Sequence, residues 1–379
     1  MLLVCPGLEH AHRGFETFAR ECFDTLRGRH DLRIELVKGS GGRADDERTV
    51  PTLRRTTALA RLLARHRGVE PFVVEHTAFA LALIPYVTHR PPDVVYFSEW
   101  HVGRVLGAWR RRSRQRFGLV FANGALVGSG YGHLDRVQQL VPGAMEYAVA
   151  GGEPAERQQV LPLGVAMAPR LALLGEEDRA ALRVRLRLPA DRRIVLSAGA
   201  VDRQKRMDVL IDEVASMREP RPYLLVCGQE EADTAAIRRL ASERLGPDGH
   251  DIRTVAPERM PDHYRAADAF VLASLWESFG RVLVEALSHG LPCLAHDYPV
   301  MRWVLGAEGD TADLTQPGSV ASWLRNERVG HQSDAMRRRR HESAHLRFSW
   351  DTLADRYAEM LRSVADQLPT TTTRNDRAR

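Results

Sequence analysis

Within the 379-residue chain, the stretch LWESFGRVLVEALSHGLP (275–292) sets two carboxylates, Glu277 and Glu285, in an otherwise apolar run closed by Gly290 and Pro292. From Gly280 onward, Val282, Leu283, Val284, Ala286 and Leu287 cover nearly the whole circumference of a helix, and a helix apolar all round is a buried one. Burying a carboxylate is costly unless something pairs or hydrogen-bonds with it. Either a neighbouring side chain satisfies Glu285, with Arg281 four residues earlier on the same face, or a ligand does. A loop feeding a buried helix N-terminus is also an anion site, because free N–H groups and the positive dipole end point outward. Glu277 lies just before that terminus and Glu285 inside the helix.

Cations are the natural complement. Of the 54 basic residues only Lys38 and Lys205 are lysine. Lys205 follows a strand end in LSAGAVDRQK, which sets an ammonium near a loop of the same kind. Its plain alternative is a solvated lysine. Asn123, after the strand-like GLVFANGA (118–125), can donate and accept hydrogen bonds but cannot take a proton near neutral pH. His101 and His133 are further candidates, with surface or packing roles as their alternatives.

These residues need elements to hold them. Short apolar runs alternate with helical patterns: LLVC (2–5), a helix from Gly14 to about Leu26, LRIELV (32–37), PFVVE (71–75), DVVYF (93–97) and FGLVF (117–121). The pattern weakens near 158–170 and restarts with RIVLSAG (193–199), PYLLVCG (222–228), DIRTV (251–255), AFVLAS (269–274) and PCLAHD (292–297). Strand–helix alternation of this kind predicts parallel, doubly wound sheets, here two of them. Such sheets bind ligands beyond the carboxyl ends of their strands.

Composition excludes several classes. The hydrophobic share of 44% is that of a globular protein. The opening MLLVCPGLEH reads as a first strand and not a signal peptide, and FALALIPYV (79–87) is too short to span a bilayer. The four cysteines show no metal-ligand spacing, which argues against zinc and for buried thiols in a reducing cytoplasm. The net charge of +5 is mild. WRRRSRQRF (109–117) could touch nucleic acid or anionic lipid, but a solvated helix end is the simpler reading, and no RNA motif or zinc finger supports nucleic acid. CPGLEHAHRGFE (5–16) lacks Gly-x-Gly-x-x-Gly, against a dinucleotide oxidoreductase.

SLWESFGRVLVEALSHGLPCLA (274–295) resembles the Glu-x7-Glu segment of retaining GT-B glycosyltransferases of the family 4 type, the glycosyl transferases group 1. LSAGAVDRQKRMDVLIDEVA (196–215) is similar to that family's phosphate loop and following helix, and DHYRAADAFVLAS (262–274) to its run-up to the donor loop. VLPLGV (160–165) looks like the interdomain segment and RGFETFAREC (13–22) like the first loop and helix. The resemblance covers most of the chain and is strongest from about 158 to 300.

The resemblance implies an α/β GT-B fold, two Rossmann-like doubly wound domains facing across a cleft. The expected division is an acceptor domain at 1–165, a donor domain at 166–345, a helix at 346–367 returning to the N-terminal domain, and a disordered tail at 368–379. It implies retaining transfer of a hexosyl group from a nucleotide-diphosphate sugar, UDP favoured over GDP, to a hydroxyl acceptor that is a small molecule, a glycan or lipid-linked. Glu277 should hold the donor sugar's hydroxyls and Glu285 the ribose. Ser278 and the amides of Phe279, Gly280 and Arg281 should cradle the diphosphate with Lys205 and Arg203, and Asn123 takes the catalytic place after GLVFA. Arg13, Gly14 and His101 should face the acceptor.

No metal and no cofactor beyond the nucleotide sugar is expected, no nucleic acid, and at most peripheral membrane contact. Two positions depart from the family pattern. Ala200 stands where an Arg usually follows the loop Gly, leaving Arg203 or Arg206 as second cation, and Asn123 stands where many relatives have His. The rival readings are a nucleotide-sugar epimerase or sugar phosphorylase on the same fold, and a catalytically inactive binding or scaffold protein.

Overall fold

The computed structural model describes residues 1–11, 14–124, 128–326 and 332–368. The chain divides into two compact units, Met1–Pro162 with the segment from Ala354 onward, and Leu163–Leu353.

The first unit holds seven parallel strands: β1 (Leu2–Cys5), β2 (Glu35–Lys38), β3 (Glu47–Thr49), β4 (Val94–Phe97), β5 (Gly118–Ala122), β6 (Arg136–Gln139) and β7 (Gln158–Val160). Their order is β3-β2-β1-β4-β5-β6-β7. The three central strands, β1, β4 and β5, are uninterrupted apolar runs, as expected of parallel strands with helices on both faces. Phe79, Leu83 and Val87 from the helix Pro71–His89 pack with Phe97, Leu119 and Phe121 in its core. The helix Trp350–Asp366 contributes Tyr357. Its hydroxyl donates to the Pro162 carbonyl at 2.7 Å and accepts from Gln138 Nε2 at 2.8 Å, so the buried Gln138 amide has a partner.

The second unit holds β8 (Ile194–Ala198), β9 (Tyr223–Cys227), β10 (His250–Arg253), β11 (Ala269–Leu272), β12 (Cys293–His296) and β13 (Asp310–Ala312), in the order β10-β9-β8-β11-β12-β13, all parallel. Val195, Leu210, Ile211, Val226, Val271 and Leu294 centre its core. In this sheet the order reverses between β8 and β11, which pair through Ala269↔Val195 and Phe270↔Leu196. Loops leaving two adjacent strands in opposite senses open a crevice there.

Some sequence expectations need correction. PFVVE (71–75) is not a strand but the start of the helix Pro71–His89, with Pro71 in its first turn. Proline is well placed there, since the first helical N–H has no partner to lose, and the apolar run continues far beyond strand length. The helix expected from 346 begins at Trp350, because Asp334–Phe348 is a separate helix that ends at Ser349. The strands β3, β6, β7 and β13 carry too few apolar residues to stand out in the sequence. WRRRSRQRF does form a helix end, in Trp100–Ser113, where Arg110 donates to the Phe117 carbonyl at 2.7 Å. The proposed tail, but for Leu368, lies outside the described residues.

Candidate functional site

The loop after β8 turns at Gly199, whose φ of 142° a residue with a side chain rarely adopts. Gly228 runs so close that a Cβ on it would sit 1.6 Å from the Gly199 carbonyl oxygen. The Gly199 N–H donates to Cys227 O (3.1 Å) and the Val201 N–H to Gln229 O (2.9 Å), which pins the loop to the next one. Asp202 then accepts the Lys205 N–H at 2.7 Å, closing a turn before the helix Met207–Ala215. These contacts leave Lys205 little freedom to swing away.

The loop after β11 carries Trp276, Glu277 and Ser278. Across the switch point, Lys205 Nζ donates to Glu277 Oε1 at 2.6 Å. Both side chains are about four-fifths covered, Lys205 25% and Glu277 15% exposed, so the pair is screened less than a surface ion pair. Tyr298, just beyond β12, clips the Glu277 peptide from the other side. Its hydroxyl accepts the Glu277 N–H and donates to the Glu277 carbonyl at 2.7 Å. Burial pushes that hydroxyl well above the ordinary phenol range, so it stays a donor. The Trp276 ring, 77% exposed, lies 5.5 Å from the Tyr298 ring.

The helix Arg281–Ser288 starts at Gly280, which caps it in the left-handed region with φ 73°. A Cβ there would also press on Met301 Cε at 3.1 Å. Phe279 is buried edge-on against Phe348, with ring centroids 5.6 Å apart, and this anchors the turn. The first amides of the helix, with their share of its dipole, therefore lie next to Glu277 in the chain.

The opening question about Glu285 has a direct answer. Arg281 Nε donates to Glu285 Oε1 at 2.9 Å and the Tyr264 hydroxyl to Oε2 at 2.8 Å. Arg281 also donates to the Gly164 carbonyl at 2.7 Å. Side chains of the protein itself satisfy the carboxylate. Each carboxylate oxygen accepts more than one hydrogen bond, and Glu285 is 22% exposed, so its capacity is not exhausted.

The two alternative cations differ. Arg206 adopts the left-handed conformation before the helix and gives its guanidinium to the Leu314 carbonyl at 2.9 Å. Arg203 is exposed on the Lys205 loop, with its N–H on Asp233 at 3.4 Å.

In the first unit the sequence candidates part company. Gly14 opens the helix Gly14–Leu26, and Arg13 lies outside the described residues. His101 is half-buried beside the Phe72 ring at 6.3 Å, and burial lowers its pKa. His133 packs edge-on against Trp100 at 5.3 Å. Both amide protons of Asn123 are engaged within the protein. The residue is buried, and its Nδ2 donates to Tyr131 Oη and to Gln139 Oε1, both at 2.9 Å. An amide whose two protons are spent on the protein has none for a substrate. Lys38 is buried too, ion-paired to Glu9 and to Glu47 (2.6 Å to the latter), so one of the two lysines is structural.

Tyr298, Tyr264 and Trp276 are what sequence reasoning missed. Tyr264 stands inside DHYRAADAF, and Tyr298 directly precedes Pro299 at a strand end, but neither position announces a partner. All four cysteines are buried and free. Among the described residues no group of three or more His, Cys, Asp or Glu side chains is arranged to hold a metal ion.

Residues 178–326 match the family described as Glycosyl transferases group 1. A D-inositol 3-phosphate glycosyltransferase of Streptomyces avermitilis is 36% identical over 199 residues, 48% of this chain and 42% of that protein. One from Streptomyces bingchenggensis is 29% identical over 83% of this chain and 79% of its own length. The first match thus spans less than half of its relative. Among solved structures, sucrose-phosphate synthase of Thermosynechococcus elongatus has the same fold, with TM-score 0.73 at 19% identity over 96% of this chain and 98% of that one. HepE of Anabaena in complex with UDP-glucose superimposes with TM-score 0.71 at 16% identity over 96% and 100%.

Proposed function

We propose that this chain, whose residues 178–326 match the glycosyl transferases group 1 and which has the GT-B fold, transfers a sugar from a nucleotide-diphosphate donor to a hydroxyl acceptor with retention of anomeric configuration. The observation that carries this reading is the Lys205–Glu277 pair at the switch point, one turn of chain from the Arg281–Ser288 N-terminus. A fixed ammonium and a helix N-terminus suit a diphosphate, and a fixed carboxylate suits sugar hydroxyls.

In this reading the amides of Phe279, Gly280 and Arg281, with Ser278, receive the diphosphate oxygens. Lys205 has three protons. It keeps one on Glu277 and turns another to the phosphate, whose negative charge grows as the glycosidic bond breaks. Stabilising charge that develops only in the transition state raises the rate, not merely the affinity. The departing phosphate oxygen takes the acceptor's proton, so no protein base is required and the lack of a titratable group at Asn123 costs nothing. Asn123 supports the first unit's strand ends instead of touching sugar. Arg203, on the Lys205 loop, supplies the second charge that Ala200 lacks. Glu285 meets the ribose hydroxyls while holding Arg281 in place, and Gly14, with Arg13 and His101, belongs to the acceptor side.

UDP is the favoured nucleotide: the Anabaena protein of the same fold is a complex with UDP-glucose. The acceptor is a hydroxyl of a small molecule, a glycan or a lipid-linked sugar, and the first-named relatives are named for a phosphorylated polyol. Neither a metal nor a further cofactor is needed, since Lys205, Arg203 and the helix terminus balance the diphosphate. A cytoplasmic site of action agrees with four buried free thiols. A thermal-shift panel of UDP, GDP, ADP and TDP sugars, with and without EDTA, followed by NMR of the product anomer, tests the reading. No stabilisation by any nucleotide sugar, or an inverted product, would sink it. Interconversion of donor without acceptor would make it an epimerase.

A further inference from the structure

The helix Ala58–Arg67 in the first unit is amphipathic in the reverse sense. Its buried side holds only Ala60 and Ala64, whereas Leu59 and Leu62 are 55% and 64% exposed. Leu59, Leu62 and His66 follow one outward stripe at i, i+3 and i+7 spacing, with exposed Arg61 and Arg65 beside it. The following helix, Pro71–His89, is long and apolar enough to cross a membrane by length and composition, with a mean hydropathy of 1.3. It cannot do so, because Phe79, Leu83 and Val87 are fixed in the core of the first unit. Its exposed stripe, Leu81, Pro85 and His89, carries no acidic or guanidinium group. Its one acidic residue, Glu75, is buried against His10 and Arg55.

Scattered apolar side chains on a surface are ordinary, but a local concentration is not. Leu59 and Leu62 share one outward face of the helix Ala58–Arg67, and Leu81 lies on the outward side of the next helix, whereas Phe72, nine residues before Leu81, points to the opposite side of that helix. The charge around them has one sign. Arg54, Arg61, Arg65, Arg67 and Arg90 are exposed and in no ion pair among the described residues, and Glu70 is the one exposed acid between 51 and 92, which leaves a surplus of four positive charges (5 − 1).

We propose that the outward face of the helix Ala58–Arg67 docks on the surface of an anionic lipid bilayer, Leu59 and Leu62 entering the interface and the arginines beside them meeting lipid phosphates. A second copy of the chain fits the same face poorly, because a two-fold contact would bring guanidinium groups against their own images without a compensating acid.

The full chain is sedimented with vesicles of phosphatidylcholine alone, and with vesicles carrying about one-third phosphatidylglycerol. Binding to the anionic vesicles only is expected, with release at ~0.5 M salt as the charges are screened. Arg61→Ser with Arg65→Ser should weaken partitioning by about twenty-fivefold, at roughly fivefold per arginine. Leu59→Glu with Leu62→Glu should weaken it at least as far. Both pairs are exposed, so melting temperatures should hold. Leu346→Glu, an equally exposed leucine on the other unit, should change nothing. The proposal fails if anionic lipid confers no binding, if the Leu59/Leu62 variant sediments like wild type, or if the wild type is a dimer that this variant makes monomeric.

Discussion

Lys205 and Glu277 stand 72 positions apart in sequence, yet the ammonium and carboxylate meet at 2.6 Å because β8 and β11 are neighbours where the second sheet reverses order. The pair fixes each charge with no ligand bound. Preorganised charge of this kind acts on the transition state without a reorganisation cost.

Removal of Lys205 should therefore be read in rate. Lys205→Ala is expected to lower turnover on the order of a hundredfold, about 3 kcal/mol, with little change in melting temperature. Lys205→Arg should recover part of the loss, since a planar fork does not reproduce a compact point charge. Steady-state kinetics on purified variants decides it. Wild-type turnover by Lys205→Ala would mean that the phosphate site has been misassigned.

Tyr298→Phe tests how Glu277 is held. The change deletes the hydroxyl that bonds both the N–H and the carbonyl of Glu277. Leaving those groups short of a partner should cost roughly 1–2 kcal/mol, about tenfold in turnover if Glu277 contacts the transferred sugar. An unchanged kcat alongside a lowered melting temperature would reduce Tyr298 to a structural role.

Glu285 joins stability to binding, and two variants separate the roles. Tyr264→Phe removes one of its donors and should lower stability by about 1 kcal/mol while nucleotide affinity is largely kept. Glu285→Gln sets an amide against the Arg281 guanidinium and should lower both. Isothermal titration with the nucleotide and urea denaturation supply the two numbers. Equal affinity in wild type and Glu285→Gln would leave the Arg281 pair as the whole explanation of this carboxylate.

Gly280→Ala should be poorly tolerated although one methyl is added. At φ 73° an L-residue costs about 1–2 kcal/mol, and the new Cβ would press on Met301 Cε. Because the strain falls where the first helical amides are aimed, donor affinity should drop with stability. Crystallography or titration showing an unperturbed helix start would contradict this.

One carboxyl in the first unit sets a pH dependence. Desolvation, with the Glu16 carboxylate nearby, pushes Glu99 from its ordinary 4.5 up to about 8. The folded chain keeps that proton up to about pH 8, whereas the unfolded chain releases it near 4.5. In this window the unfolded state binds fewer protons, so the contribution of Glu99 to stability declines as pH rises from about 4.5 to about 8. Glu99→Gln should flatten that decline and gain stability at the alkaline end. Denaturation curves at several pH values check the slope, and parallel wild-type and variant profiles would refute the assignment.

The sequence alone determined what is local. The strands β8, β9 and β11, the helix Gly14–Leu26 and the turn ending at Gly290 and Pro292 follow from apolar runs bounded by residues that stop them. The motif around Glu277 and Glu285 followed too, because its spacing is set within one loop and one helix. Tertiary structure decided what depends on partners far along the chain. PFVVE became helix because the apolar run after Pro71 continues to the core contacts of Phe79, Leu83 and Val87. Asn123 turned inward because Tyr131 and Gln139 take both its protons. Lys205 was marked in sequence by its place in LSAGAVDRQK, but nothing there showed that Lys38 is buried between two carboxylates or that Lys205 meets Glu277 at the switch point. Periodicity records which face of an element is apolar. It holds no information on which distant side chain lies within hydrogen-bond reach, and only the folded sheet order supplies that.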